Sequence, residues 1–212
     1  MKVFIVESSL GYSSMFLANG WKVVSDIYDA DLVQFTGGAD VDPSLYGEVA
    51  MPNTHYNRAR DDAEIAIYHL ARSLNIPMAG ICRGAQFLNV MNDGKMYQHV
   101  DGHALGRTHP MYTEDGRTID VTSTHHQMMI PSDKGIVLAI AHQSKRRERM
   151  YRGDMYMVET SVHDDVEVVF YPDTKCICYQ PHPEYVEADH ECQVYYFELL
   201  NRLLGGSDDN DN

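Results

Sequence analysis

A cysteine, Cys82, stands between Gly80 and Gly84, directly after the apolar run Ile76-Pro77-Met78-Ala79. A thiolate is a strong nucleophile near neutral pH, and a nucleophile bracketed by glycines at a strand-to-helix turn is how a nucleophile elbow reads in sequence. The residues that follow, Ala85-Gln86-Phe87-Leu88-Asn89-Val90-Met91, have helical apolar spacing. Cys82 is therefore expected on the turn between a short buried strand and a helix. Glycines without a Cβ let the backbone bend and let strand and helix approach, with Cys82 held in a conformation that exposes its sulfur. The first amides of the helix then stabilise negative charge there. A structural cysteine in a tight turn has the same pattern, so the motif alone leaves both readings open.

A second group supplies what a nucleophile needs. Gln180-Pro181-His182-Pro183-Glu184 follows the apolar alternating run from Lys175 to Tyr179. In extended backbone, residues two apart point the same way, so Glu184 can hold one ring nitrogen of His182 while the other faces Cys82. Nucleophile, base and orienting carboxylate are then present, and the pattern predicts covalent acyl-transfer catalysis.

These two motifs, G-x-C-x-G-x-Q ending at Gln86 and H-P-E at His182 to Glu184, resemble the class I glutamine amidotransferase superfamily. Further stretches resemble its γ-glutamyl hydrolase branch, including the γ-glutamyl-γ-aminobutyrate hydrolases. Thr36-Gly37-Gly38 through Asp42-Pro43-Ser44-Leu45-Tyr46-Gly47-Glu48 is similar to that branch's glycine loop and its D-P-x-x-Y-G-E tail. Arg60-Asp61-Asp62-Ala63-Glu64 is similar to R-D-x-x-E, and Asn89-Val90 through Gly94-Lys95-Met96-Tyr97-Gln98 to N-V-x-x-G-G-x-L-Y-Q. Thr124-His125-His126-Gln127 is similar to S-x-H-H-Q. The motifs occur in the family's order from Val33 to Glu184.

The resemblance implies a thioester mechanism on a γ-glutamyl amide and a flavodoxin-like fold. Cys82 would attack the side-chain carbonyl, His182 would carry the proton, and Glu184 would fix the imidazole. The oxyanion would lie against the backbone N–H groups of Arg83 and Gly38. Gly37, Gln86, His126 and Gln127 would line the substrate pocket. No cofactor or metal is implied, and activity is expected to fall below about pH 6 as His182 protonates.

The elements that must position these residues are legible as an alternation. Strand signals at Lys2 to Val6, Trp21 to Val24, Leu32 to Phe35 and Ile76 to Ala79 alternate with helical stretches at Ser13 to Asn19, Arg60 to Ser73 and Gly84 to Met91. That rhythm predicts a single-domain α/β fold over residues 1–204, with a mostly parallel, helix-covered sheet and its site beyond the carboxyl ends of the strands. The second half reads as strand-rich: Thr118 to Thr122, Gly135 to Ala141, Met155 to Thr160, Val166 to Tyr171 and Cys176 to Tyr179. A closing helix is expected from about Glu187 to Leu204, with Cys192, Tyr195, Tyr196, Leu199, Leu200 and Leu203 inward. The acidic tail 205–212 reads as disordered.

Length and composition bound the partners. The 212 residues suit one domain, and the net charge of −14 argues against general nucleic-acid binding. No run reaches the ~20 apolar residues of a membrane span, and four cysteines without C-x-x-C spacing predict reduced thiols in a cytoplasmic protein. The region from Asp101 to Thr122 and the segment before the glycine loop are shorter than the γ-glutamyl hydrolase branch leads one to expect. Such trimming suits either a bulkier substrate or a surface completed by a synthase subunit that receives ammonia. His99, His103 and His109 fall in this region, but no helix or hairpin fixes their spacing, so a metal is not expected. Lys145 to Arg152 places basic residues in an acidic chain. It reads as a solvated hairpin or as a docking site for an acidic partner or a phosphate-bearing substrate, with Arg149 and Arg152 as anion clamps. Three functions remain in view: a γ-glutamyl hydrolase, a glutaminase feeding a separate synthase, and a catalytically silent binding module.

Overall fold

The short apolar runs of the first half and the alternating runs of the second build one large mixed sheet. In the computed structural model, residues 1–7, 9–104, 106–151, 155–159 and 164–204 are described. Arg152, Thr160 and the tail 205–212, on which expectations were placed above, lie outside them.

Along the chain the elements are β1 (Lys2–Ile5), α1 (Leu10–Ala18), β2 (Lys22–Val24), β3 (Leu32–Phe35), α2 (Arg58–Ser73), β4 (Met78–Ile81) and α3 (Arg83–Met91). There follow β5 (Lys95–Tyr97), β6 (His99–Val100), β7 (Arg107–Thr113), β8 (Thr118–Ser123), β9 (Met128–Ile130) and β10 (Ile136–Ala141). The last are β11 (Arg147–Tyr151), β12 (Met155–Glu159), β13 (Asp165–Tyr171), β14 (Cys176–Tyr179) and α4 (Glu191–Leu204). The nine-stranded sheet runs β2-β1-β3-β4-β14-β13-β10-β7-β8. Pairings from β2 to β14 are parallel, and those from β14 to β8 are antiparallel. The parallel order is that of an α/β fold, with an antiparallel half appended at β14.

Strands β3, β4 and β14 are buried throughout, as strands covered by helices on both faces must be. The period-two rule sorts β14: Ile177 and Tyr179 join the core under α1 and α4, whereas Cys176 and Cys178 join the core under α2 and α3. On the first face Phe16 meets Trp21 and Phe197 edge-on, each with ring centroids 5.4 Å apart. On the second, Phe35 lies against Phe87 at 5.3 Å.

Three differences from the sequence reading have physical causes. Strand β7 falls in a stretch to which the sequence reading assigns no element. Pro110 is tolerated there because β10 pairs with β7 only at Tyr112 and Thr113, so no ladder needs a Pro110 N–H on that side. Helix α4 starts at Glu191 rather than near Glu187, after a 3-10 turn at Pro183–Tyr185, and His190 Nδ1 accepts from the Cys192 N–H at 3.2 Å. The basic segment is only partly solvated at the residues described: Lys145 and Arg146 are exposed, whereas Arg147 and Arg149 turn inward. It forms β11, between β12 and β6. Arg147 is buried against Asp165 at 2.7 Å, and Arg149 pairs with the buried carboxylate of Glu48. In an acidic protein, these cations are used internally.

Candidate active site

Three adjacent parallel strands, β3, β4 and β14, deliver the site at their carboxyl ends. From β4 comes Cys82. Its N–H bonds to Tyr179 O at 2.9 Å, and its carbonyl accepts from Gln86 N at 3.0 Å to start α3. Between these bonds Cys82 adopts φ 51°, ψ −110°. A non-glycine residue in such a conformation costs on the order of 1–3 kcal/mol and persists only where its surroundings enforce it. The flanking glycines enforce it by contact. A Cβ on Gly80 would overlap the Gly84 backbone, and one on Gly84 would overlap the Phe35 carbonyl. Neither glycine has positive φ. They therefore serve close approach, and the bend expected of them is carried by Cys82 itself.

From β14 comes His182. Its Nδ1 lies 2.6 Å from Glu184 Oε1, which leaves Nε2 to interact with the Cys82 sulfur. Two further residues, neither singled out from sequence, hold the ring. Tyr185 stacks on it at 4.4 Å with 2° between planes, and Thr122 Oγ1 accepts from His182 N at 2.6 Å. Burial pulls the imidazole pKa down, but the Cys82 sulfur and then Glu184 outweigh it and push the value up to about 10. This environment favours the protonated imidazole.

From β3 comes the glycine loop. A Cβ on Gly37 would stand 2.9 Å from His182 Cε1 and 3.7 Å from Cys82 Cβ, so the loop, the cysteine and the histidine converge. The Gly37 N–H is taken by Tyr12 Oη at 2.8 Å, whereas the Gly38 N–H has no hydrogen bond among the described residues. Gly38 has φ +137°, a conformation that favours glycine, and a Cβ there would strike Arg60. Arg60 braces the loop by donating to Gly37 O at 3.1 Å and Thr36 O at 3.0 Å, with Glu64 Oε1 holding its Nε at 2.8 Å.

The side chain of Arg83 faces away from this space. It is 1% exposed and bonded to Asp61 and Glu64, so only its backbone N–H is available at the elbow. Burial raises the Asp61 carboxyl pKa against the pull of Arg83. The Arg60 to Glu64 motif therefore does two things: its arginine braces the glycine loop, and its two buried carboxylates anchor the first residue of α3.

Of the pocket residues read from sequence, Gln86 is buried and donates to Gln180 Oε1 at 3.1 Å and Gln127 O at 3.4 Å. Gln127 is also buried, and neither its side-chain nitrogen nor its oxygen has a partner among the described residues. His126 is half-exposed and holds Asp40 Oδ1 at 3.1 Å.

The family model for Peptidase C26 matches residues 5–184, which spans the glycine loop, the elbow and the H-P-E segment. The chain belongs to the Peptidase C26 family. This family member is 34% identical over 123 residues to a candidate glutamine amidotransferase of Mycobacterium tuberculosis, covering 49% of this chain and 40% of that protein. It is 29% identical over 140 residues to the carbamoyl phosphate synthase small chain of Campylobacter jejuni, covering 66% of this chain and 33% of that one. Each match thus spans less than half of the relative's length. In structure, this Peptidase C26 protein is similar to a glutamine amidotransferase from Thermotoga maritima, with TM-score 0.62, 13% identity and coverage of 97% and 89% of the two chains. That likeness shows the class I glutamine amidotransferase-like fold.

Proposed function

We propose that this Peptidase C26 protein hydrolyses a γ-glutamyl amide through a thioester on Cys82. The observation that carries the reading is the strained Cys82 elbow set against a His182 ring held by Glu184. In this reading, Cys82 sulfur attacks the side-chain carbonyl carbon of the γ-glutamyl group. The oxyanion takes the Gly38 and Arg83 N–H groups, which the rest of the described structure leaves without partners. The carbon–nitrogen bond then breaks, and His182 gives its proton to the leaving amine. Water, deprotonated by His182, attacks the thioester and releases glutamate and the thiol. The buried, unpartnered amide of Gln127 supports a polar substrate head group beside Gln86 and Gln180. The cysteines are free, as the reducing cytoplasmic setting of this reading would have them.

A second reading has one specific support, the likeness to carbamoyl phosphate synthase small chains. There the same half-reaction would release ammonia to a separate synthase chain. The test is glutamate release from L-glutamine and from a panel of γ-glutamyl amines, with Cys82→Ala as control. Turnover that needs Cys82 and favours a γ-glutamyl amine supports the hydrolase. Slow glutamine turnover with Cys82 labelled by a glutamine-like electrophile supports the partnered glutaminase. Full activity after iodoacetamide has modified Cys82 would remove both.

A further inference from the structure

Behind the catalytic histidine the fold collects histidines that the proposed chemistry does not use. His103, His109 and His125 come from the loop before β7, from β7 itself and from the segment after β8, and all three are buried. They surround Glu167 of β13, which is fully buried. His109 Nε2 lies 3.0 Å from Glu167 Oε1, His103 Nδ1 lies 3.5 Å from the same oxygen, and His125 Nε2 lies 3.6 Å from it. One ligand atom from each of His103, His109 and Glu167 falls within 4.8 Å of the others. His99, considered with His103 and His109 from sequence, lies elsewhere, with its ring 6.1 Å from that of His126.

The hydrogen bonds around the cluster fix which nitrogens face inward. His103 Nε2 is 3.1 Å from Asp165 Oδ2, so a neutral ring carries its hydrogen there and presents a lone pair at Nδ1. His125 Nδ1 is 2.9 Å from the carbonyl of Gln127, which can only accept, so a neutral ring presents its lone pair at Nε2. Among the described residues, His103 Nδ1, His125 Nε2 and Glu167 Oε2 have no hydrogen-bond partner. If both rings are neutral, two lone pairs face a buried carboxylate oxygen across 3.5 and 3.6 Å, which is repulsive unless a proton or a metal ion sits between them.

Ligand atoms on a tetrahedral zinc ion with bonds near 2.0–2.1 Å stand about 3.3–3.4 Å apart. The separations from Glu167 Oε1 bracket that edge. Imidazoles and one carboxylate, without a thiolate, suit zinc among the common divalent ions. The surroundings also match what a metal site requires. A histidine ligand ordinarily donates its second N–H to a carboxylate or a carbonyl, which Asp165 provides for His103 and Gln127 O for His125, while His109 Nδ1 is buried without one among the described residues. Asp165 is itself held by Gln143 N at 2.7 Å and Ser144 N at 2.8 Å. We infer that His103, His109 and Glu167 form a zinc site, with His125 at its edge. Its place explains its use. It ties β7 and β13 to the segment after β8, next to Thr122, which fixes the His182 backbone, and to Gln180, whose N–H bonds Glu167 O at 2.8 Å. The inference stands apart from the proposed hydrolysis, because the cluster needs no part of it.

The test uses the whole chain carrying Cys82→Ala, which removes the one partly exposed thiol that could compete for zinc. The expected metal content after purification is about one zinc per chain. After chelation, zinc at about a hundredfold over its dissociation constant should raise Tm by roughly 5–10 °C. Cobalt in its place should give the intense visible absorption of a tetrahedral ion, and His109→Gln and Glu167→Gln should each abolish it. If either variant fails to fold, the parent chain's cobalt spectrum still decides. A purified chain without metal whose Tm does not respond to zinc, or a cobalt spectrum unchanged in both variants, overturns the site and leaves the cluster held together by protons.

Discussion

Gly37→Ala isolates the preorganisation of the proposed active site from the stability of the fold. Gly37 has no positive φ, so alanine suits its backbone, and the loss of chain freedom in the unfolded state favours the folded protein by about 0.4–1 kcal/mol. The added Cβ meets His182 Cε1 at 2.9 Å and Tyr12 Oη at 3.2 Å. Carbon atoms pack at about 3.5–4.0 Å, so ring and loop must part by roughly 0.6–1 Å. The ring has little room, with Tyr185 stacked at 4.4 Å and Glu184 at 2.6 Å. Neither has the loop, which Tyr12 and Arg60 hold. A displacement near 1 Å costs about 10²-fold, and loss of an oxyanion donor costs about 10²–10³-fold. The expected result is kcat/KM lower by about 10²–10³-fold, or about 2.7–4 kcal/mol of transition-state stabilisation. Steady-state glutamate release and thermal melting read the two halves. A Gly37→Ala chain that melts like the parent and keeps its kcat/KM within about threefold would refute the claim that loop and imidazole are rigidly opposed.

Other outcomes follow from the buried charges. Arg83→Met leaves Asp61 buried without its cation and Glu64 with Arg60 alone, and should destabilise the fold by about 3–5 kcal/mol, seen as a lower denaturant midpoint. An unchanged midpoint would mean that water reaches those carboxylates. Arg149→Leu strands the buried Glu48 and should lower Tm without changing the salt dependence of activity; a changed salt dependence would favour the docking role. The His182 pKa of about 10 lies above the ordinary 6.5, so its stabilising effect is complete below about pH 6.5 and is lost as pH rises through about 10. Activity needs the imidazolium to protonate the leaving amine, so an alkaline limb should appear near pH 10, as a property of the coupled pair. In Cys82→Ala the NMR titration of His182 should move well down; an unmoved titration would show that the sulfur is not its main partner.

Local patterns were enough to read the parallel half of the sheet and to single out the residues gathered at its edge. Those features are local: β3 and β14 coincide with their apolar runs, and Cys82, Gly37, Gly38, His182 and Glu184 lie just beyond strand ends. Once neighbouring strands run parallel, their carboxyl ends must share one edge. Tertiary structure decided what depends on contacts distant along the chain. Only the fold could show that Gly80 and Gly84 are needed for close approach, or that Tyr12 takes the Gly37 N–H from 25 residues away. Only the fold turned a basic run into a strand whose cations serve buried Asp165 and Glu48. The histidine cluster makes the same point: His103 and Glu167 are 64 residues apart in sequence, and no local periodicity records that β13 runs beside them. Spacing along a chain reports on local backbone geometry, whereas a buried charge takes its meaning from the partner that the fold brings within reach.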